Sequence, residues 1–502
     1  GQNVDQLTVV SSDTTDFNTG STSTLGGSAH SVTAANGVTV NGSITTSAQL
    51  TVNADSVTGS GGTFTVSGGT TVINTNGAQL DITADEVELV GASPSLNSGV
   101  TSITDSDGGG VGLGATIVTN GLNINGTELQ NITATGLTIN AGSGGSITVN
   151  GITAANSNNI TGTLTLNATA GTTGAITFQN NPSSFKTLAG NANAGINVDI
   201  GVTTTVGAIS LDSDANNNGG NLTFGASGAL TSQTNVTLDA GAGAVVGDAA
   251  PLTNVTTGAT GASGTLTITS TTGIGAANAL ETNIFTLNVN NSGAGNVSIA
   301  DVSSVDTTGI TVANGNLTLT AGGSGGNITD SAATTISVSG TASFDAAGDM
   351  ITLGDNGGDT TNFGKLTVVG ATVTITEDSS TEMTGTSTVT GTFTLTSSGA
   401  VTQSSGANVN AGSLALTAGG AVTLTETTSN DVDTLAISAA GQTVQFIDTD
   451  GFVVDAIGSI NGITSGALTL TATTGNITVN NIVAAANAIT AITGASFFMV
   501  VP

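Results

Sequence analysis

The chain is 502 residues long and holds two lysines, no arginine, one histidine, no cysteine, no tryptophan and no tyrosine. Its 33 acidic residues leave a net charge of −31, which excludes binding to nucleic acid by counterion release and attraction to anionic lipid. Lack of cysteine excludes a disulfide framework or a thiolate zinc site, and the sequence has no apolar run of about 18 residues to form a transmembrane segment. With 37% hydrophobic residues the chain still has enough apolar matter to fold. Val, Ile, Leu and Ala supply most of it and 13 Phe are the only aromatics, so a narrow interior of small side chains stacked in rows is predicted.

The chain opens on Gly1-Gln2, which reads as a processed mature protein or an excised fragment. Leu7-Thr8-Val9-Val10 predicts a strand inside a segment, 1–60, that would serve as an N-terminal cap or assembly segment. His30, in Gly-Ser-Ala-His-Ser-Val, reads as an exposed turn or strand residue. Asn36-Gly37, Asn150-Gly151 and Asn461-Gly462 mark turns, because Gly and Asn tolerate left-handed backbone. Leu164-Thr165-Leu166, Ile176-Thr177-Phe178, Leu317-Thr318-Leu319, Thr372–Thr376 and Thr392–Thr396 alternate apolar and hydroxylated residues, the period-two signature of strands with one apolar face. A longer degenerate unit also recurs: a strand, a small Ala-Gly turn and a second strand starting Ile-Thr or Val-Thr, as in Leu137–Gly142 followed by Ile147–Asn150. Copies starting at Leu137 and Leu164 lie 27 residues apart, and those at Leu414 and Leu468 lie 54 apart. No convincing helix is predicted, since the Ala-rich Val483–Asn487 is too short. Ser496-Phe497-Phe498-Met499-Val500-Val501 is the most hydrophobic short segment, and 490–502 is predicted as a C-terminal assembly strand.

These patterns predict an all-β chain, a parallel β-helix (β-solenoid) with degenerate repeats running over 1–502 without an internal boundary. Coils of roughly 20 to 27 residues would give about 20 coils in a rod on the order of 100 Å long. The alternative is a series of tandem β-sandwich domains, weakened by the absence of the Trp and Tyr that such domains bury.

The strings LTLTAGG, LALTAGGAVTL and LTLTATTGNITVNN resemble the large secreted β-strand-repeat proteins of bacteria, the filamentous haemagglutinin-like adhesins and autotransporter passengers. The likeness runs from Leu137 to Asn481 and implies a right-handed parallel β-helix displayed outside the cell.

The chemistry points the same way. His30, Lys186 and Lys365 are the whole basic inventory, so the base, acid and electrophile of an active site cannot be assembled and no enzyme or cofactor is expected. Calcium is the one ion the side chains suit. Asp212 and Asp214 with Asn216 and Asn218, Asp448 with Asp450, Asp105 with Asp107, and Asp355 to Asp359 are oxygen-rich loops, although Asp, Asn and Gly are also the best turn formers. Asn-x-Thr triplets at Asn131, Asn167 and Asn254 read as glycan acceptors or as turn-and-strand starts. Leu7, Val9 and Val10 at one end and Phe497, Phe498, Met499, Val500 and Val501 at the other present strand edges that would pair with another copy, and an open head-to-tail contact generates a filament. The expected function is that of an extracellular structural protein, a subunit of a self-assembling surface filament, sheath or surface layer. Its expected partners are itself and, beyond that, cell-surface glycans or matrix. A shaft segment of a secreted adhesin is the alternative. An ice-binding solenoid is a remoter one, because irregular spacing should keep the threonines out of rank.

Overall fold

Strands that alternate Val, Leu or Ile with Thr or Ser can bury one side only against strands of the same kind, and stacking them in parallel layers does this without limit. The computed structural model is built in this way; it describes residues 4–17, 22–57, 59, 61–90, 93–250, 252–323, 325–426 and 430–499. The chain forms two units, Gly1–Thr271 and Thr272–Pro502. Each is a parallel β-solenoid, and between them they hold about 21 turns. Tandem sandwiches are thereby excluded.

In the first unit one face is a continuous parallel ladder. It runs through Thr8–Ser11, His30–Ala34, Leu50–Asn53, Leu80–Ala84, Val100–Asp105, Gly136–Asn140, Leu164–Ala168, Leu188–Ala192, Ile209–Asp212, Val236–Asp239 and Thr265–Ser270. A second face carries Gly37–Val40, Thr63–Val66 and Glu86–Leu89, then Val111–Gly114, Ile147–Asn150 and Ile176–Phe178. A third is made of short strands such as Ile44–Thr45, Ile73–Asn74, Leu96–Asn97 and Ile132–Thr133. The recurring strand–turn–strand unit of the sequence is therefore two faces of one coil joined at a corner.

Register is kept although coil length is not. Asn140, Asn167 and Asn191 stack directly on one another, with Asn167 Nδ2 donating to Asn140 Oδ1 at 3.0 Å across 27 residues and Asn191 Nδ2 to Asn167 Oδ1 at 2.7 Å across 24. Asn140 Nδ2 reaches Thr104 Oγ1 at 3.1 Å across 36 residues. The surplus residues lie in the corners, so the ladder keeps its register across these layers. This corrects two expectations. Irregular spacing does not scatter the threonines: Thr138 lies on Thr165, and Thr374 and Thr376 lie on Thr394 and Thr396. Such ranks are nevertheless short, since Thr165 is followed by Ala189 and Ser210. Conversely, the alike strings at Leu414 and Leu468 lie on different ladders, because Leu414 is followed by Leu435, Val454 and Val479 whereas Leu468 stacks on Val444 and Val422, in the second strand of the Leu414 copy.

The second unit differs in having long strands that bend round a corner without breaking: Val305–Asn314, Thr335–Asp345, Thr360–Gly370, Thr386–Ser397 and Asn408–Ala418. The ladder shifts register between Val338 and Thr341 and between Val389 and Thr392, so the buried side chains stay buried on both arms of the bend. A glycine sits at each bend, at positions 309, 340, 364, 391 and 412. At Gly364 a Cβ would stand 2.1 Å from the Ser339 carbonyl oxygen of the layer before, so only glycine fits. Gly364→Ala is expected to cost about 1–3 kcal/mol through the backbone shift it forces, read as a lower urea midpoint; Gly357→Ala, where a Cβ meets nothing within 4 Å, serves as the control.

Inside both units Val, Leu, Ile and Ala form the interior, with Phe64, Phe178, Phe185, Phe344, Phe393 and Phe446 as its largest fully buried side chains. Two single-turn helices, Gly126–Gln130 and Ala154–Ser157, correct the expectation of none. Their signal was present as the capping boxes Asn125-x-x-Glu128 and Thr153-x-x-Asn156, in which each side chain bonds the other's backbone N–H. His30 is also corrected: it begins a strand but is buried, accepting from Leu7 N–H at Nδ1 and contacting Gly26 O through Nε2, both at 3.1 Å. Asn131 and Asn254 are buried too, and Asn131 Nδ2 donates to Leu89 O at 2.9 Å, which favours the structural reading of those triplets.

Candidate functional site

Coils bring residues of distant sequence to the same corner, and the acidic side chains gather there. After the strands Leu50–Asn53 and Leu80–Ala84 the chain places an Asp at the same offset, Asp55 and Asp85, and the next layer ends on Asp105 with Asp107 in the turn beyond. Ala84 pairs with Asp105, so Asp85 comes against the turn that carries Asp107. One carboxylate oxygen from each of Asp85, Asp105 and Asp107 lies within 4.8 Å of the others. Asp105 is 2% exposed; its Oδ2 accepts from the Gly110 and Gly142 N–H groups at 3.0 and 3.2 Å, while its Oδ1 is buried with no hydrogen-bond partner. Asp85 Oδ1 is likewise buried and unpartnered. Burial and then the neighbouring Asp107, Asp105 and Asp55 push the Asp85 carboxyl up to about 6. Burial also raises that of Asp105, against the pull of its backbone donors. Gly108 and Gly110 hold left-handed backbone (φ +85° and +95°), which lets the loop turn back so that Gly110 N–H meets Asp105.

A second group, Asp330, Asp355 and Asp359, forms in the other unit. Burial lifts Asp330 to about 6, opposed by the Gly354 N–H and reinforced by Asp359, Asp355 and Asp306; its Oδ1 has no partner. Asp359 is a turn-maker, accepting from Thr334 N–H at Oδ1 and Asn356 N–H at Oδ2.

The other sequence-derived oxygen loops are held as backbone turns. Asp214 accepts from Asn218 N–H at Oδ1 and from Gly219 and Ala242 N–H at Oδ2. Burial pushes its carboxyl up, but these donors outweigh it and hold the group below the usual range. Asp212 accepts from Asp214 N–H and lies in register with Asp239; burial raises its carboxyl. Asn216 Oδ1 accepts from Asn218 N–H. Asp448 is fully buried, with Oδ1 taken by the Asp450 and Gly451 N–H groups and Oδ2 by that of Val432. Burial, opposed by those donors, lifts it to about 6. The sequence alone does not point to Asp85, which joins Asp105 only through the stacking of layers. The parallel between Leu50-Thr51-Val52-Asn53-Ala54-Asp55 and Leu80-Asp81-Ile82-Thr83-Ala84-Asp85 is the signal that would have found it.

The basic groups form no constellation with these acids. Among the described residues the one ion pair is Lys365 Nζ with Glu382 Oε1 at 3.1 Å, on the surface. No helix of the described residues is long and apolar enough to cross a membrane.

The ends of the ladders carry the remaining predicted residues. Val483–Ala485, Ile489–Thr493 and Phe497–Met499 pair in parallel with the layer before. Their apolar side chains are open to solvent, with Ile489, Ile492, Phe498 and Met499 all more than half exposed. Val500 and Val501 lie outside the described residues. In Thr8–Ser11, Val10 is exposed and Val9 half-buried, as is Leu7 just before it.

Layered parallel ladders, a row-like aliphatic interior and an outer coat of Thr, Ser and Asn define a repeat β-solenoid. The model of a family described as "Repeats of unknown function (DUF5649)" matches residues 294–368 and again 370–439. These two stretches cover the long, glycine-bent strands of the second unit, with Thr360–Gly370 lying across their join. No curated protein and no solved structure matches the chain.

Proposed function

We propose that this chain is a structural protein of the cell exterior without catalytic activity, a subunit that assembles head-to-tail with copies of itself into a filament, sheath or surface layer. The carrying observation is the coil 482–499, whose large apolar side chains are exposed on strands already paired along their other edge. A further parallel layer would cover them, and in this reading it comes from the N-terminal ladder of a second copy, which begins with Thr8–Ser11 paired in parallel to His30–Ala34. An exposed material also has to resist digestion. Two lysines offer almost nothing to trypsin-like proteases, and Lys365 sits inside the strand Thr360–Gly370, tied to Glu382. Cell-surface glycans or matrix are the further partners of such a surface.

Likeness to adhesin-type repeats supports the second reading, a shaft segment that stays single. Negative-stain images and light scattering of the purified chain separate the two. Polymers are expected from the native protein, and single particles from the Phe497→Asp, Phe498→Asp double variant, whose changes fall on exposed positions. A native protein that remains single at high concentration, or a variant that polymerises unchanged, would overturn the assembly reading.

A further inference from the structure

The corner at Asp85, Asp105 and Asp107 has a deficit of positive partners that its own hydrogen bonds do not meet. The Gly110 and Gly142 N–H groups are directed to Asp105 Oδ2, its Oδ1 is buried without a hydrogen-bond partner, and one carboxylate oxygen of each of the three aspartates lies within 4.8 Å of the others. Asp85 presents the same problem, with its Oδ1 enclosed and a carboxylate oxygen of Asp107 within 4.8 Å of its own. Asp107 Oδ1 accepts from Gly109 N–H at 2.9 Å, which orients that carboxylate. Asp55, one layer away, accepts from Ser106 Oγ at 2.8 Å through Oδ2 and adds its negative field. Neither lysine lies in this stretch of the chain. Leaving two buried anionic oxygens unpartnered in such a field is strongly unfavourable unless a cation or a proton joins them.

We propose that this corner is a divalent-cation site of the calcium type, with Asp85, Asp105 and Asp107 as its protein ligands. The dimensions agree: oxygens bound to one calcium at about 2.3–2.6 Å can stand up to roughly 5 Å apart, and these three lie within 4.8 Å of one another. Chemistry agrees as well, because hard carboxylate oxygen is the preferred donor of calcium. Asp105 is the buried anchor, preset by Gly110 and Gly142. Asp107, in the turn beyond the strand, is the outer ligand, where water would complete the coordination shell. The ion would tie two successive layers together, since Asp85 belongs to one and Asp105 and Asp107 to the next.

The test is calorimetric titration of the full, chelator-treated chain with calcium chloride near neutral pH, comparing native protein, Asp107→Asn and Asp359→Asn. Asp107 is exposed, so its replacement leaves the fold intact, and Asp359→Asn removes a carboxylate from the other acidic group without touching this one. The native chain is expected to bind calcium saturably and to melt at a higher temperature with it. Asp107→Asn should weaken that binding event about tenfold or more through the loss of one charged ligand, whereas Asp359→Asn should keep it. Absence of binding at millimolar calcium would mean that the carboxyls share a proton instead and would overturn the proposal. Equal binding by native protein and Asp107→Asn would overturn it too. Neither result bears on the assembly reading, which is measured by particle size.

Discussion

Phe344→Ala should lower the stability of the second unit by about 3–5 kcal/mol, the range for emptying a fully buried phenylalanine site. Phe344 is completely buried, pairs in the ladder with Leu319 and Val368, and meets Phe363 edge-on with ring centroids 5.5 Å apart. Phe344 stacks between the layers that carry Leu319 and Val368, so a void deprives both of a packing partner. Urea unfolding followed by far-ultraviolet circular dichroism measures the effect, with Val302→Ala, at a site 51% exposed in the same unit, as the control that should change little. A loss below about 1 kcal/mol would mean that the layers close over the gap, contrary to the close packing that such interiors normally show.

Stability should rise as pH falls from 8 towards 5, the reverse of the usual acid sensitivity. Burial lifts Glu128 to about 7 and Asp85, Asp330 and Asp448 to about 6, from ordinary values of 4.5 and 3.8. A carboxyl raised on folding binds its proton more tightly in the native state. Its stabilising contribution is complete below the unfolded value, near 4, and is lost as pH rises through 6 to 7. At about 1.4 kcal/mol per tenfold difference in proton affinity, one such group contributes on the order of 2 kcal/mol. Self-repulsion in a chain of net charge −31 acts in the same direction. Asp214 and Glu382, held low by hydrogen bonds, act oppositely, but only once pH falls below the ordinary carboxylate range. The urea midpoint in chelating buffer should therefore be higher at pH 5 than at pH 8. A midpoint that is flat or lower at pH 5 would contradict this assignment of protons.

Strand positions and sidedness were legible from the chain because period-two alternation is a local property: Leu164-Thr165-Leu166 reads correctly without its neighbours. The solenoid class followed from the repetition of such strings. Which strings share a ladder was not legible, as Leu414 and Leu468 demonstrate, because every face obeys the same binary pattern and the corners between faces vary in length. Burial of His30 is not legible for a related reason: its donor Leu7 N–H comes from the layer before, 23 residues away. At the acidic corner, Asp105 and Asp107 were recognised from their spacing. Asp85 was not, since its membership depends on the pairing of Ala84 with Asp105. The Asp212, Asp214 and Asp448 loops look alike in sequence, yet their carboxylates are directed to backbone N–H groups, a distinction that composition does not encode.

Separations of 36, 27 and 24 residues between stacked partners, with no slip of the ladder, have a bearing on how such a chain varies over generations. Pitch is set by the hydrogen bonds between successive layers, whereas contour length is absorbed at the bends. A duplicated or deleted stretch of gene that encodes a whole turn leaves its neighbours properly seated, and smaller insertions emerge as outward bulges. The demand on the sequence is then the inward phase of each strand, and the motif is free to blur while the layers stay stacked.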